Sequence, residues 1–282
     1  MIILTADDYA MTYGVSRAIE QLARAGRLSA TSAMVTMPGW RGDAGRVREL
    51  RGMIAVGLHL NLTVGAPAGA MPKLARGDTF PALNGLLARS LSGRLRTREM
   101  RDEIRRQLDL FEAAMGFPPD HVDGHQHVQI LPGIRGALLD ELQGRYRQPP
   151  PLVRDPSTDG DTASTVREAG GKAMVVNLLA RGFQRAAAKR GLAVNDGFAG
   201  FSSFDTTTDY GEELTAAFAV TGHRAIVMCH PGFPDADLGR LDPVVARRRQ
   251  EYDAMMQDIA LPDRIWHPRR ASNGPAIDWQ AQ

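Results

Sequence analysis

The sequence predicts an α/β fold in which helical crossovers join the strands of a parallel sheet. Strand-like and helix-like segments alternate through most of the chain, and acids or histidines recur where the strand-like runs end. Size supports the same class. With 282 residues, 43% of them hydrophobic, the chain can bury a sizeable core and suits one domain spanning residues 1–282.

The first strand is the apolar run Met1-Ile2-Ile3-Leu4, which gives out into the acids Asp7 and Asp8. In VSRAIEQLARAG, Val15, Ile19 and Leu22 recur at helical spacing and Gly26 marks the stop. SATSAMVTM reads as a second strand closed by Pro38-Gly39, and a helix around 43–51 leads to the strand AVGLHLNLT, which carries His59. Residues 64–96, rich in Gly and Pro, read as a loop over a site. TREMRDEIRRQLDLFEAAMG is a helix with Thr97 as N-cap, Met100, Ile104, Leu108 and Phe111 on one face, and Gly116 at its end. HVDGHQHV follows as a strand turning into a loop at Gly124. Residues 148–172 read as a polar, mobile excursion. Beyond it come the helix MVVNLLARGFQRAAAKRG, the strand-like LAVNDGFAGF, a helix near 210–220, and the strand AIVMCHPG ending on His230.

Composition excludes several function classes. Cys229 is the only cysteine, so an intramolecular disulfide and a cysteine-rich zinc cluster are both excluded. The formal charge is +2, and the short run Arg247-Arg248-Arg249 fits a solvated helix face better than a nucleic-acid surface. No apolar stretch is long enough for a membrane span, and the chain opens without a leader pattern, so a soluble cytoplasmic protein is expected. No GxSxG, GxGxxG or GxxxxGK[ST] segment supplies another mechanism.

What remains points to metal chemistry. Alternate residues of a strand share a face, so His121, Asp123, His125 and His127 have common parity and can address one cleft. Taken singly, a histidine is ordinarily a surface residue and an Asp-Asp pair a turn or helix cap. Together they offer two imidazoles and one carboxylate from separate strands, a three-ligand site with open positions, which Asp8, His59 and His125 satisfy. Asp7, beside such a site, suits a general base, and His230 a general acid. Cys229 neighbours His230 but faces the other way, as a buried core residue.

TADDYAM, VGLHLNLT, HVDGHQHVQILP and MCHPGF together resemble the YdjC-type carbohydrate deacetylases, a family that includes chitooligosaccharide deacetylases and relatives associated with hopanoid biosynthesis. The resemblance covers most of the chain. It implies a single-domain (β/α) barrel-like fold with the active site at the strand C-terminal ends, and metal-dependent removal of an acetyl group from an N-acetylated sugar. By the same motifs, Asp8, His59 and His125 hold the metal, Asp7 is the base and His230 the acid. Asp196 in NDGFAG matches a family segment near the cleft, and with Asp123 and His127 it is a candidate for substrate binding. The resemblance also implies a homodimer. Tyr9-Ala10 departs from the Phe-Gly of many relatives, and the missing glycine bears on the local turn.

Mg or Zn leads the expected cofactors, with Mn, Co and Ni compatible with the same oxygen and imidazole ligands. The expected partner is a small N-acetylated sugar. The competing readings are a divalent-metal sugar isomerase, an iron-dependent oxygen enzyme, and a non-hydrolytic sugar-binding protein. The first two explain the second adjacent acid less well than hydrolysis does, and a pure binder has no need of base, acid and metal together.

Overall fold

The computed structural model describes residues 1–158, 170–202, 204–271 and 273–280. Seven strands form one parallel sheet: β1 (Ile2–Tyr9), β2 (Ala30–Ala33), β3 (Ala55–Leu60), β4 (His121–Gly124), β5 (Leu152–Val153), β6 (Gly197–Ala199) and β7 (Ala225–Cys229). Their order is β5-β4-β3-β2-β1-β7-β6. The chain therefore starts near the middle of the sheet, walks outward to β5, and returns on the other side of β1. The sheet curls into a half-barrel, and among the described residues a parallel bridge joins Val153 of β5 to Val194, just ahead of β6. This is the expected parallel α/β architecture. In such sheets, ligands bind outside the carboxyl ends of the strands, where the strand order reverses. Here that place is the end of β1.

The helices are α1 (Tyr13–Arg24), α2 (Trp40–Glu49), α3 (Leu83–Leu91), α4 (Thr97–Met115), α5 (Arg135–Arg145), α6 (Gly170–Ala180), α7 (Phe183–Ala188), α8 (Tyr210–Ala217), α9 (Leu238–Leu241), α10 (Ala246–Gln257) and α11 (Leu261–Arg264). The stripe read for α4 is fully buried at Met100, Ile104, Leu108 and Phe111. Its end is Gly116, at φ +77°. The cap at its start differs from expectation. Arg96 occupies the cap position without a side-chain bond, and Thr97 is already helical.

Three further expectations change. Residues 64–96 are no open loop: α3 lies within them, and Met71, Leu74, Ala75 and Phe80 join the core. Within 148–172, Leu152 and Val153 form β5, and residues 159–169 lie outside the described residues. The single helix expected over 174–191 is two, with Gly182 between them in the left-handed region.

The core has two layers. The larger one fills the space between sheet and helices and includes Leu4, Val15, Ile19, Leu22, Val56, Leu58 and Val122. The smaller lies inside the curl, where Ile3, Ala30, Ala55, Leu152, Ile226 and Met228 pack with Phe198, Ile277 and Trp279. The C-terminal segment therefore plugs the half-barrel at the amino ends of its strands. Trp279 is anchored there by its indole N–H, which donates to the carbonyl of Asp120 at 2.6 Å.

Candidate metal centre and catalytic cleft

Period-two alternation carries the inner face from this apolar plug to a polar layer at the carboxyl ends. Along β3 the inward positions run Ala55, Gly57, His59, and along β1 they run Ile3, Thr5, Asp7. Gly57 is required by its neighbour, since a Cβ there would lie 2.5 Å from the ring of His121.

Two adjacent acids of a regular strand would face opposite sides. The chain avoids this with an irregularity in β1. Ala6 pairs with Thr31 and Tyr9 with Ala33, so three steps along β1 match two along β2. Asp8 takes φ +69° and Ala10 φ +71°. An extra residue in one strand re-aims a side chain, and here it lets Asp8 join Asp7 in the cleft. The turn is fixed by Met11 N–H on the Asp8 carbonyl at 2.9 Å and by Ala10 N–H on Ser16 Oγ at 3.0 Å.

The Asp8 carboxylate is divided between two sides of the site. Its Oδ1 lies 2.9 Å from His125 Nδ1 and 3.2 Å from His59 Nε2, while Oδ2 accepts from Arg248 Nη2 at 2.6 Å. His59 is oriented from behind, with Nδ1 2.7 Å from Asp123 Oδ1 and 3.1 Å from Ser32 Oγ. A carboxylate on one imidazole nitrogen with the other turned to a ligand atom is the usual backing of a metal-ligating histidine. Asp8, His59 and His125 each offer an atom within 4.8 Å of the others, and all three are buried. Asp7, His59 and Asp123 satisfy the same distance criterion. The first set fits a cation better, because Arg154 already bonds both acids of the second. Its Nη1 and Nη2 reach the two oxygens of Asp7 at 2.6 and 2.7 Å, and Nη2 reaches Asp123 at 2.6 Å.

Burial works against every charge here, and ion pairs outweigh it at Asp8 and His59 but not at His127 and His230. Asp8 is held well below the usual carboxylate range, because His125 and Arg248 outweigh the penalty of burial. Burial alone would lower the pKa of His59, but Asp123, Asp7 and Asp8 raise it to about 10. Burial lowers His127 to about 3, helped by the positive charges of Arg154, His230 and His59. His230 is also lowered, by burial and Arg248, against Asp8 and Asp7. Burial pushes the Cys229 thiol well up, and its Sγ lies 3.4 Å from the carbonyl of Thr5, consistent with a core residue.

The structure brings Asp7, Asp8, His59, Asp123 and His125 into one polar layer, with His230 following the end of β7. The shared parity expected of the histidine run stops at the end of β4. His125 opens a 3-10 turn in which Gln126 and His127 have φ of 55° and 58°. The ring of His127 meets Phe198 and Phe201 edge-on, with centroids 5.8 and 5.4 Å away. Asp123 is fully buried and bound to His59 and Arg154, which it holds in place beneath the site.

Asp196 lies elsewhere. Its carboxylate accepts from the backbone N–H groups of His223 and Arg224, just ahead of β7, at the amino ends of the strands. The strand read as LAVNDGFAGF begins only at Gly197, so Asp196 precedes β6 and faces the end opposite the cleft.

Two arginines at the site were not anticipated. Arg154 follows β5, where the polar 148–172 run masks a two-residue strand. Arg248 belongs to the run read as a solvated face, yet Arg247 and Arg248 are buried. Arg247 pairs with Glu213 and Arg248 with Asp8 and Asp242, while Arg249 stays exposed. A usable signal was present in Glu251, three residues after Arg248. Its carboxylate accepts the backbone N–H of His230, so one helical face carries both contacts.

A parallel half-barrel with two adjacent aspartates and two imidazoles at its carboxyl end defines an α/β protein with a candidate metal site. The chain belongs to the YdjC-like protein family, whose model matches residues 1–261. It is 34% identical over 134 residues to a chitooligosaccharide deacetylase of Serratia marcescens, across 48% of this chain and 52% of that one, so the match spans about half the length of that relative. It is 28% identical over 250 residues to a carbohydrate deacetylase of Mus musculus, covering 83% and 78% of the two chains. A chitooligosaccharide deacetylase of Yersinia enterocolitica is 30% identical over 238 residues, with 83% of each covered. Among solved structures, an Enterococcus faecalis V583 protein provisionally described as a cellobiose-phosphate cleavage protein superposes with a TM-score of 0.72 at 19% identity, over 93% of this chain and 94% of that one. That likeness establishes the fold.

Proposed function

We propose that this protein is a carbohydrate deacetylase that hydrolyses the acetamide of an N-acetylated sugar with a divalent ion held by Asp8, His59 and His125. The single observation that carries this is the divided Asp8 carboxylate, whose Oδ1 faces two imidazoles while Asp123 holds the far nitrogen of His59. The family membership and the deacetylase names of the relatives support the same reaction. A bound divalent ion supplies electrophilic polarisation of the acetyl carbonyl and acidifies water.

The remaining work falls to the chain's own residues. Asp7 is the base that takes a proton from the attacking water, and Arg154 fixes the plane of its carboxylate through two parallel bonds. Collapse of the tetrahedral adduct breaks the C–N bond and releases acetate, and the departing amine takes a proton from His230. His127, neutral and set against Phe198 and Phe201, forms an aromatic wall suited to a sugar face. Magnesium or zinc is the ion we favour, in a cytoplasmic homodimer. Among the described residues, no helix is long and apolar enough to cross a membrane.

The test is acetate release from N-acetylglucosamine oligomers by metal-stripped protein with Mg, Mn, Co or Zn restored, alongside Asp7→Asn. Release that requires both the ion and Asp7 is the expected result. Metal-independent release, or full activity in Asp7→Asn, would overturn the assignment.

A further inference from the structure

We propose that Arg248 is a positioning residue that makes Asp8 a one-oxygen ligand. This rests on the metal reading given above and concerns a residue outside the ligand set. The Arg248 guanidinium reaches Asp8 Oδ2 at 2.6 Å, and the same nitrogen reaches Asp242 at 2.5 Å. Its Nε donates to the carbonyl of Val244 at 3.0 Å. The backbone is tied as well, since Gly232 N–H donates to the Arg248 carbonyl at 3.0 Å, in the turn that follows His230. Arg248 is buried, and its bond to Asp8 forms away from water.

Three consequences follow from the placement. The oxygen given to Arg248 is withdrawn from the imidazole side, so only Oδ1 is turned to His59 and His125. The carboxylate plane is fixed, because rotation would forfeit a buried ion pair. Helix α10 then supports both halves of the cleft, through Arg248 on Asp8 and through Glu251 on the backbone of His230.

Positioning and plain electrostatics predict opposite signs. A guanidinium next to a ligand carboxylate repels a cation, so removing its charge alone would tighten metal binding. Losing the orientation of a ligand weakens metal binding, by about 10–100-fold for outer partners of metal ligands.

The experiment is titration of the metal-free protein with Mn2+, followed by electron paramagnetic resonance, without substrate. Thermal melting of each metal-free variant serves as the control for folding. Arg248→Met is expected to weaken Mn2+ binding about 10–100-fold. Arg248→Lys keeps the charge but lacks the planar fork, and it is expected to weaken binding as well. Asp242→Asn, which frees the other anchor of Arg248, is expected to show a smaller loss. Should Arg248→Met fail to fold, the Lys and Asn variants carry the test. Unchanged or tighter binding in folded variants, with the parent binding Mn2+ normally, would overturn the role of Arg248 alone. A parent protein that binds no divalent ion would overturn the metal reading and this inference with it.

Discussion

The two ends of the half-barrel's interior are built by the same strands and the same residue parity, yet they do opposite work. At the amino end, Ile3, Ala55, Leu152 and Ile226 close on Trp279 in an apolar plug. A few residues further along, Asp7, His59, Arg154 and His230 occupy the corresponding carboxyl-end positions, where Asp7 pairs with Arg154 and His59 with Asp8 and Asp123. The contrast shows that chemistry here depends on how far along a strand a residue lies. Facing the interior is common to both ends. Hydrophobic burial at one end gives a rigid frame, and the ion pairs at the other gain precision from that frame.

The largest expected effect separates the ends by function. Asp7→Asn removes the proposed base from the polar end and should lower kcat by about 10²–10⁴-fold, with Mn2+ binding retained, as measured by acetate release and metal titration on the same preparation. A variant that keeps its turnover would mean that Asp7 is a structural partner of Arg154.

Next comes the plug. Trp279→Ala should cost about 3–5 kcal/mol of stability in urea unfolding, because it empties the amino end and removes the bond to Asp120. The folded variant should still bind Mn2+ as the parent does. Loss of metal affinity without loss of stability would show that the two ends are not separable.

The third prediction uses the support beneath His230. Burial pushes Glu251 up to about 7, with the N–H of His230 and the charges of Arg248 and Arg247 only partly offsetting it. Between the ordinary glutamate range and that value, the folded state keeps a proton that the unfolded chain has lost. Its contribution to stability is therefore complete at low pH and declines as pH rises through the window, by on the order of 3 kcal/mol. Glu251→Gln has no such decline, so its stability relative to the parent should rise between pH 5 and pH 8 in chemical denaturation. A constant difference would place the proton elsewhere.

The smallest effect concerns the turn behind Asp8. Ala10 has φ +71°, where an L-residue is strained and glycine is not. Ala10→Gly should stabilise the protein by about 0.5–1 kcal/mol, the strain exceeding the extra entropy of glycine in the unfolded chain. A shift of the melting temperature in the other direction would show that the turn gains more from the Cβ than it loses.

The carboxyl-end cluster was legible because acids and histidines follow short apolar runs, a pattern visible without coordinates. What remained hidden has physical causes. The bulge that turns Asp8 beside Asp7 leaves no compositional mark, since both residues behind it are non-glycine. Arg154 follows a strand of only two residues, too short for alternation to reveal. Arg247 and Arg248 looked solvated because local charge density does not show that Glu213 and Asp8 approach from distant segments, or that the nearby Asp242 turns onto Arg248. Asp196 was placed near the cleft only by its match to a family segment, and the bonds from the backbone of His223 and Arg224 hold it at the amino ends of the strands. The plug by Trp279 depends on a terminal segment with no regular periodicity.

Anomalous diffraction from crystals soaked in Mn2+ tests the central claim most directly, because it locates the ion without reference to turnover. One peak bounded by Asp8, His59 and His125, with Asp7 still bound to Arg154, is the expected result. A peak between Asp7 and Asp123 with Arg154 displaced, or no peak at the carboxyl end of β1 in protein that binds Mn2+ in solution, would contradict it.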